Sequence, residues 1–156
     1  MGGGKKSEKD LAIDLKLHTD NIVAVIDEYQ PNVKSSALRS YSASLRGVLS
    51  NTSNGVSSYL VERYNFKDKE ISKAVQEQAQ LTLDELANEL FEAKINGILD
   101  RIYAHKMAYE ISMLTTEEEK LSDATKNESL QGILKESYDS LNNLYSNFND
   151  FSETKN

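Results

Sequence analysis

The sequence predicts an all-α fold, a single-domain bundle of about four to five helices with no sheet. The 156-residue chain contains one proline and seven glycines, whereas sandwiches and barrels need turn residues about every 8–12 positions. So few helix-breaking residues favour long helices. Apolar residues also recur at alternating spacings of three and four along most of the chain, which is the pattern of one helix face.

The composition excludes several classes of protein. Because the chain has no cysteine, it can form no disulfide framework, thiolate zinc site or iron–sulfur cluster. No apolar run approaches the roughly 18 residues that span a bilayer, and none follows the start as a signal peptide requires. We therefore expect a cytoplasmic protein with no membrane partner.

The domain is predicted over residues 11–150, between flexible tails at residues 1–10 and 151–156. A first helix over Glu8–Tyr29 places six residues on one stripe, and Pro31 ends it because the residue before proline avoids helical angles. A second helix starts after Ser35 and Ser36, which are good N-caps. A break or kink is expected at residues 51–55. The stripe of the first helix consists of Leu11, Leu15, His18, Ile22, Val25 and Tyr29.

Residues 69–114 have helical periodicity throughout, but one helix of that length would extend beyond its neighbours. Thr82 with Glu85 resembles a capping box, which predicts helices at about 69–81 and 83–114. Thr116 with Glu119 forms a second such box, and a last helix is predicted at about 129–148. The residues predicted to be buried in the core include Leu45, Ile98, Ile102, Leu134 and Tyr138.

The sequence predicts no catalytic residues, no metal site and no cofactor. Di-iron bundles need Glu-x-x-His on two helices, and neither His18 nor His105 has a glutamate three residues before it. Gly-rich phosphate loops and hydrolase motifs are also missing. Both histidines fall on apolar stripes, so they are either hydrogen-bonded imidazoles of the core or a paired metal or heme site. We expect that the protein is not an enzyme.

Positive charge is concentrated in one segment. Residues 32–73 contain seven basic and three acidic residues, a net charge of +4, which leaves −11 for the rest of a chain of −7. On the second helix, Arg39 and Arg46 share a sector with several serines, and arginine forks suit phosphate oxygens. The alternative is an ordinary solvated face, although nine serines in residues 35–58 are many for a helix.

Three stretches resemble the small helical subunit of type III (Csm-type) CRISPR–Cas effector complexes. Residues 34–39 (KSSALR) are similar to its hydroxyl–Ser–x–Leu–Arg signature, and residues 106–109 (KMAY) to its Lys–Leu–Ala–Tyr helix. Residues 136–148 resemble its closing aromatic helix. The stretches follow the family order over residues 33–148. The sequence departs from the family at Met113, where an arginine is usual.

The resemblance implies a non-catalytic bundle that assembles in copies along the effector complex, beside the guide–target duplex. The implied partners are other complex subunits, the crRNA or target strand, which the isolated subunit would bind weakly, and further copies of the chain. Arg39 is the contact that the motif carries over, with Lys34 and Ser36 as its neighbours, and the helical wheel adds Arg46. The alternative is a helical protein–protein interaction or oligomerisation module with no nucleic-acid role.

Overall fold

The protein is all-helical in a computed structural model, which describes residues 6–154 and contains no β-strand within that range. The predicted fold class is therefore confirmed. Short 3-10 turns at Gln30–Asn32 and Asp68–Glu70 follow the first and second of five α-helices. These helices are α1 (Glu8–Tyr29), α2 (Ser36–Tyr64), α3 (Lys73–Ile95), α4 (Leu99–Ala124) and α5 (Glu128–Thr154).

Four of the helices form a closed ring around the core. α1 packs on α2, α2 on α5, α5 on α4 and α4 on α1, which is the arrangement of a four-helix bundle. α3 lies outside the ring against α1 and α4, and only Leu86, Leu90 and Ala93 of its residues are buried. None of the helices between residues 6 and 154 combines the length and apolar composition that a membrane span requires.

Short connections make successive helices antiparallel, so the bundle has two distinct ends. The α1–α2 and α3–α4 connections and the last turn of α5 meet at one end, which we call the Ser36 end. The α2–α3 and α4–α5 connections and the first turn of α1 meet at the other, the Glu8 end. At the Glu8 end, the hydroxyls of Tyr59 and Tyr64 both donate to Glu8 and fix α1 against α2.

The first two helices follow their local signals. α1 has the predicted bounds, and Ser35 caps α2 by accepting a hydrogen bond from the Leu38 N–H at 3.1 Å. The expected break at residues 51–55 is wrong, because α2 continues unbroken to Tyr64. Gly55 serves close packing instead, since a Cβ there would lie 3.0 Å from the Ile133 side chain on α5.

The predicted division of the middle region is also wrong. Thr82 and Thr116 lie inside α3 and α4, where their hydroxyls donate to the carbonyls of Gln78 and Ser112 instead of capping a helix. The boundary lies at residues 96–98, where Gly97 has a φ of +77° that L-residues rarely adopt. The sequence correctly indicated that one helix cannot cover the region, but placed the turn about 15 residues too early.

The predicted core is partly correct. Leu45 and Leu134 are buried, and Ile102 and Tyr138 are half-buried. Ile98 is 42% exposed because it lies in the α3–α4 connection and not within a helix. The tails predicted at both ends are too long, since residues 8–10 belong to α1 and residues 151–154 to α5. Residues 1–5 and 155–156 of these tails lie outside the described residues.

Candidate nucleic-acid interface

The start of α2 is tied to the first turn of α4 by one carboxylate. The backbone N–H groups of Lys34 and Ser35 donate to the two oxygens of Asp100 at 2.9 and 2.8 Å. These two donors precede the helix and would otherwise need water, so the carboxylate fixes where α2 begins. Both carboxylate oxygens of Asp100 therefore accept from backbone groups.

Arg39 is held against the turn that precedes α2. Its Nη1 donates to the carbonyl oxygens of Val33 and Lys34 at 2.8 and 2.9 Å. A guanidinium has five N–H donors, so three of those of Arg39 remain for another acceptor. Arg39 and Lys34 are both exposed, and neither forms an ion pair with another residue of the 6–154 range.

Arg46 lies on the same side of α2, two turns further along, but it has a carboxylate partner. Its Nε and Nη2 donate to the two oxygens of Asp27 on α1 at 2.6 and 3.0 Å. The Arg46 guanidinium lowers the pKa of Asp27 through these hydrogen bonds. The sequence indicated little acidic competition near Arg46 because it considered α2 alone. The competing carboxylate comes from the neighbouring helix.

The serines of α2 do not form one exposed face. Ser42 is fully buried and donates to the Leu38 carbonyl, and Ser53 is buried and donates to Asp20 of α1 at 2.6 Å. Both hydroxyls are hydrogen-bonded inside the bundle, as buried polar groups require. Ser36 is exposed in the first turn of α2. Helix packing therefore explains part of the serine content.

The basic segment 32–73 is divided between the two ends of the bundle. α2 has 29 residues, so at about 1.5 Å per residue its ends are roughly 43 Å apart. Lys34 and Arg39 lie at the Ser36 end, while Arg63, Lys67 and Lys69 lie at the Glu8 end. The net charge of +4 is therefore not a single basic patch.

Two cations that the sequence analysis missed lie close to Lys34. Lys94 in the last turn of α3 and Arg101 in the first turn of α4 line a groove with Lys34 at the Ser36 end. Its volume is about 820 Å³. No local pattern joins residues so distant in sequence. The correct helix boundary at Gly97 would have placed Lys94 and Arg101 together at this end.

His18 is enclosed by two glutamates of α4. Its Nε2 lies 2.7 Å from Glu110 Oε1 and its Nδ1 lies 2.8 Å from Glu117 Oε1. Burial alone would lower the pKa of His18, but the hydrogen bonds and charges of the two glutamates outweigh it and raise the pKa to about 9. The imidazole is therefore protonated at neutral pH, and both its nitrogens act as donors.

The predicted alternative of a paired histidine site is not what the structure contains. Both nitrogens of His18 are occupied by glutamates, while His105 is exposed on α4. Between residues 6 and 154, no group of three or more His, Asp or Glu side chains has a geometry that could hold a metal ion. His18 is thus a hydrogen-bonded imidazole, which was the other interpretation of the sequence.

Comparison of the chain with protein-family models, curated proteins and solved structures finds no significant match. The interpretation of the site therefore rests on its own residues. Of the predicted site residues, Lys34, Ser36 and Arg39 lie at the Ser36 end, where Lys94 and Arg101 also lie. Arg46 lies further along α2 in its pair with Asp27.

Proposed function

We propose that the protein is a non-catalytic small subunit of a type III (Csm-type) CRISPR effector complex that contacts the backbone of the crRNA or target strand. The observation that carries the proposal is the pair of exposed cations at the start of α2. Arg39 is oriented by two carbonyls, and Lys34 near it forms no ion pair within residues 6–154. Both suit phosphate oxygens.

The mode of binding follows from the chemistry of these side chains. The free N–H groups of Arg39 can donate to two phosphate oxygens, and because the guanidinium is already anchored, little side-chain entropy is lost on binding. Lys34 adds a mobile point charge. Such contacts position a nucleic acid without reading its bases. Two or three contacts per subunit give weak binding, which an assembly of several subunits strengthens through effective concentration.

The net charge of −7 is compatible with this function if the acidic remainder of the surface faces basic partner subunits. Opposite charges across such interfaces steer assembly and fix its register. Because the basic segment is divided between the two ends of the bundle, we assign RNA binding to the Ser36 end, where Lys34 and Arg39 lie. The cytoplasm is the compartment that this function requires.

The test uses the tagged protein purified from its native cells with its complex. We expect CRISPR effector subunits and a guide RNA to copurify. Lys34→Ala/Arg39→Ala should then weaken target-RNA affinity at least about tenfold, since each lost charged hydrogen bond contributes about 1.5–3 kcal/mol. On single strands, the slope of log affinity against log salt should become shallower by about 0.7 per lost contact.

Lys120→Ala/Lys126→Ala is the matched control, because it removes two exposed lysines near the Glu8 end and changes the net charge equally. Arg46→Ala should have a smaller effect than Arg39→Ala, because Asp27 competes for Arg46. Unchanged affinity and salt slope in a folded, assembled Lys34→Ala/Arg39→Ala complex would refute the proposal. Circular dichroism verifies that the start of α2 remains folded.

A protein–protein interaction module with no nucleic-acid role is the second candidate. The observation in its favour is an exposed apolar stripe on α3, the helix outside the ring, with Leu81, Phe91 and Ile95 exposed by 54%, 52% and 65%. Under this alternative, Phe91→Asp/Ile95→Asp would abolish assembly, whereas Lys34→Ala/Arg39→Ala would change neither assembly nor any RNA affinity.

A further inference from the structure

Both cationic and apolar side chains line the groove at the Ser36 end, and we call its apolar part the floor. Lys34, Lys94 and Arg101 contribute the positive charge, and Ile98, Leu99 and Phe151 contribute apolar surface. The three cations come from the α1–α2 connection, the end of α3 and the start of α4. At about 820 Å³, the groove is within the range of small-molecule sites, which is about 300–1,000 Å³.

The positive charge in this groove is only partly offset by the protein. None of the three cations forms an ion pair within residues 6–154, although the chain has 25 acidic and 18 basic residues. The acidic side chain that lines the groove, Asp100, accepts from the backbone N–H groups of Lys34 and Ser35. Three cations against one carboxylate leave the groove with a net positive charge, which makes it a potential site for an anion.

The start of α4 contributes backbone donors to the groove. No side chain caps the start of α4, so its first N–H groups remain directed out of the helix. The end of α3 is closed by hydrogen bonds from Gly97 to the Lys94 carbonyl and from Ile98 to the Ala93 carbonyl. The last carbonyls of α3 are therefore paired, while the first N–H groups of α4 can still donate to a ligand. Asp100 in that turn and the end of α5 at Thr154 bring negative potential to the same groove.

We propose that this groove binds a nucleoside phosphate, with the phosphate on Lys94, Arg101 and Lys34 and the base on the apolar floor beside Phe151. A phosphate alone would use the cations but not the floor, and an uncharged apolar ligand would use the floor but not the cations. The nucleoside phosphate is either a free nucleotide or one unit of a single RNA strand. The second source rests on the function proposed above.

The experiment titrates the isotopically labelled full-length protein with AMP, adenosine, inorganic phosphate and a short single-stranded oligoadenylate, monitored by NMR. We expect AMP to shift the amide signals of Gly97, Ile98 and Lys34 and to bind more tightly than adenosine or phosphate. Lys94→Ala/Arg101→Ala should weaken AMP binding about tenfold or more. Lys120→Ala/Lys126→Ala, with the same loss of charge, should leave it unchanged.

The titration distinguishes the two sources of the nucleoside phosphate, a free nucleotide and a unit of an RNA strand. An oligoadenylate that binds more tightly than AMP, with the same dependence on Lys94 and Arg101, identifies an RNA unit. AMP binding without oligoadenylate binding identifies a free nucleotide. Phe151→Leu should weaken AMP binding more than phosphate binding, because stacking on an aromatic ring contributes to the former alone.

Equal affinity for phosphate and AMP, or an equal loss in the Lys120→Ala/Lys126→Ala control, would overturn the inference. The experiments distinguish failure of the groove proposal from failure of the RNA-binding proposal. If AMP leaves Gly97 unshifted while RNA affinity in the complex still depends on Arg39, the groove proposal alone fails. If AMP binds through Arg101 while RNA affinity does not depend on Arg39, the RNA-binding proposal alone fails.

Discussion

The half-buried imidazole of His18 provides the most direct test of the structure. His18 on α1 bridges Glu110 and Glu117 on α4, and together the two carboxylates raise its pKa from 6.5 to about 9. In the protonated form each nitrogen donates to one carboxylate. In the neutral form one nitrogen has only a lone pair, which then faces a carboxylate oxygen and repels it. Deprotonation therefore weakens the α1–α4 contact.

The expected magnitude follows from the difference between the two pKa values. A rise from 6.5 to about 9 corresponds to about 3 kcal/mol of unfolding free energy. Because the pKa is higher in the folded state, this stabilisation is fully present below the unfolded value of 6.5. It decreases as the pH rises and is lost once the pH passes about 9.

The assay compares the wild type with His18→Gln by urea unfolding between about pH 6 and pH 10. Other titrating groups contribute equally to both proteins, so the difference between the two stability curves isolates His18. We expect the wild type to lose about 3 kcal/mol more than the variant over this range. Parallel curves, or an NMR titration of the His18 ring that ends below pH 7, would refute the reasoning.

Two further predictions concern a buried acid and the glycines. Burial raises the pKa of Glu118 to about 7, although Ser137 donates to it. The free energy of unfolding should therefore fall by about 3 kcal/mol as the pH rises from about 4.5 to 7. Glu118→Gln should remove this loss in urea unfolding. An unchanged pH slope in the variant would contradict the prediction. Gly97→Ala should lower stability by about 1–2 kcal/mol because its φ is +77°. Gly47→Ala, where the new Cβ enters open space inside α2, should raise stability by about 0.5–1 kcal/mol. Thermal unfolding measures both glycine variants. Shifts of the same sign in the two variants would contradict this prediction.

Helix boundaries were predictable where the chain itself determines them. Pro31 and Ser35 act on neighbouring backbone groups, so the end of α1 and the start of α2 follow from local chemistry. Thr82 and Thr116 carry the same kind of signal but lie inside helices, because a threonine hydroxyl can also donate to the carbonyl four residues earlier. Packing then decides between the two uses.

The sequence predicted the candidate site only where its charged residues belong to one short segment of the chain. Arg39 retains free charge because its Nη1 donates to the backbone carbonyls of Val33 and Lys34, which precede α2 in the sequence. The Lys34 ammonium forms no ion pair within residues 6–154. Whether a cation can bind an external phosphate depends on which carboxylates the fold brings to it, and those come from other helices. Asp27 of α1 reaches Arg46 and occupies it. Asp100 of α4 reaches the same end of α2 but satisfies backbone groups, so it leaves the neighbouring cations available. Asp27 and Asp100 carry the same charge but have opposite effects on the site, because Asp27 accepts from the Arg46 guanidinium whereas Asp100 accepts from backbone N–H groups.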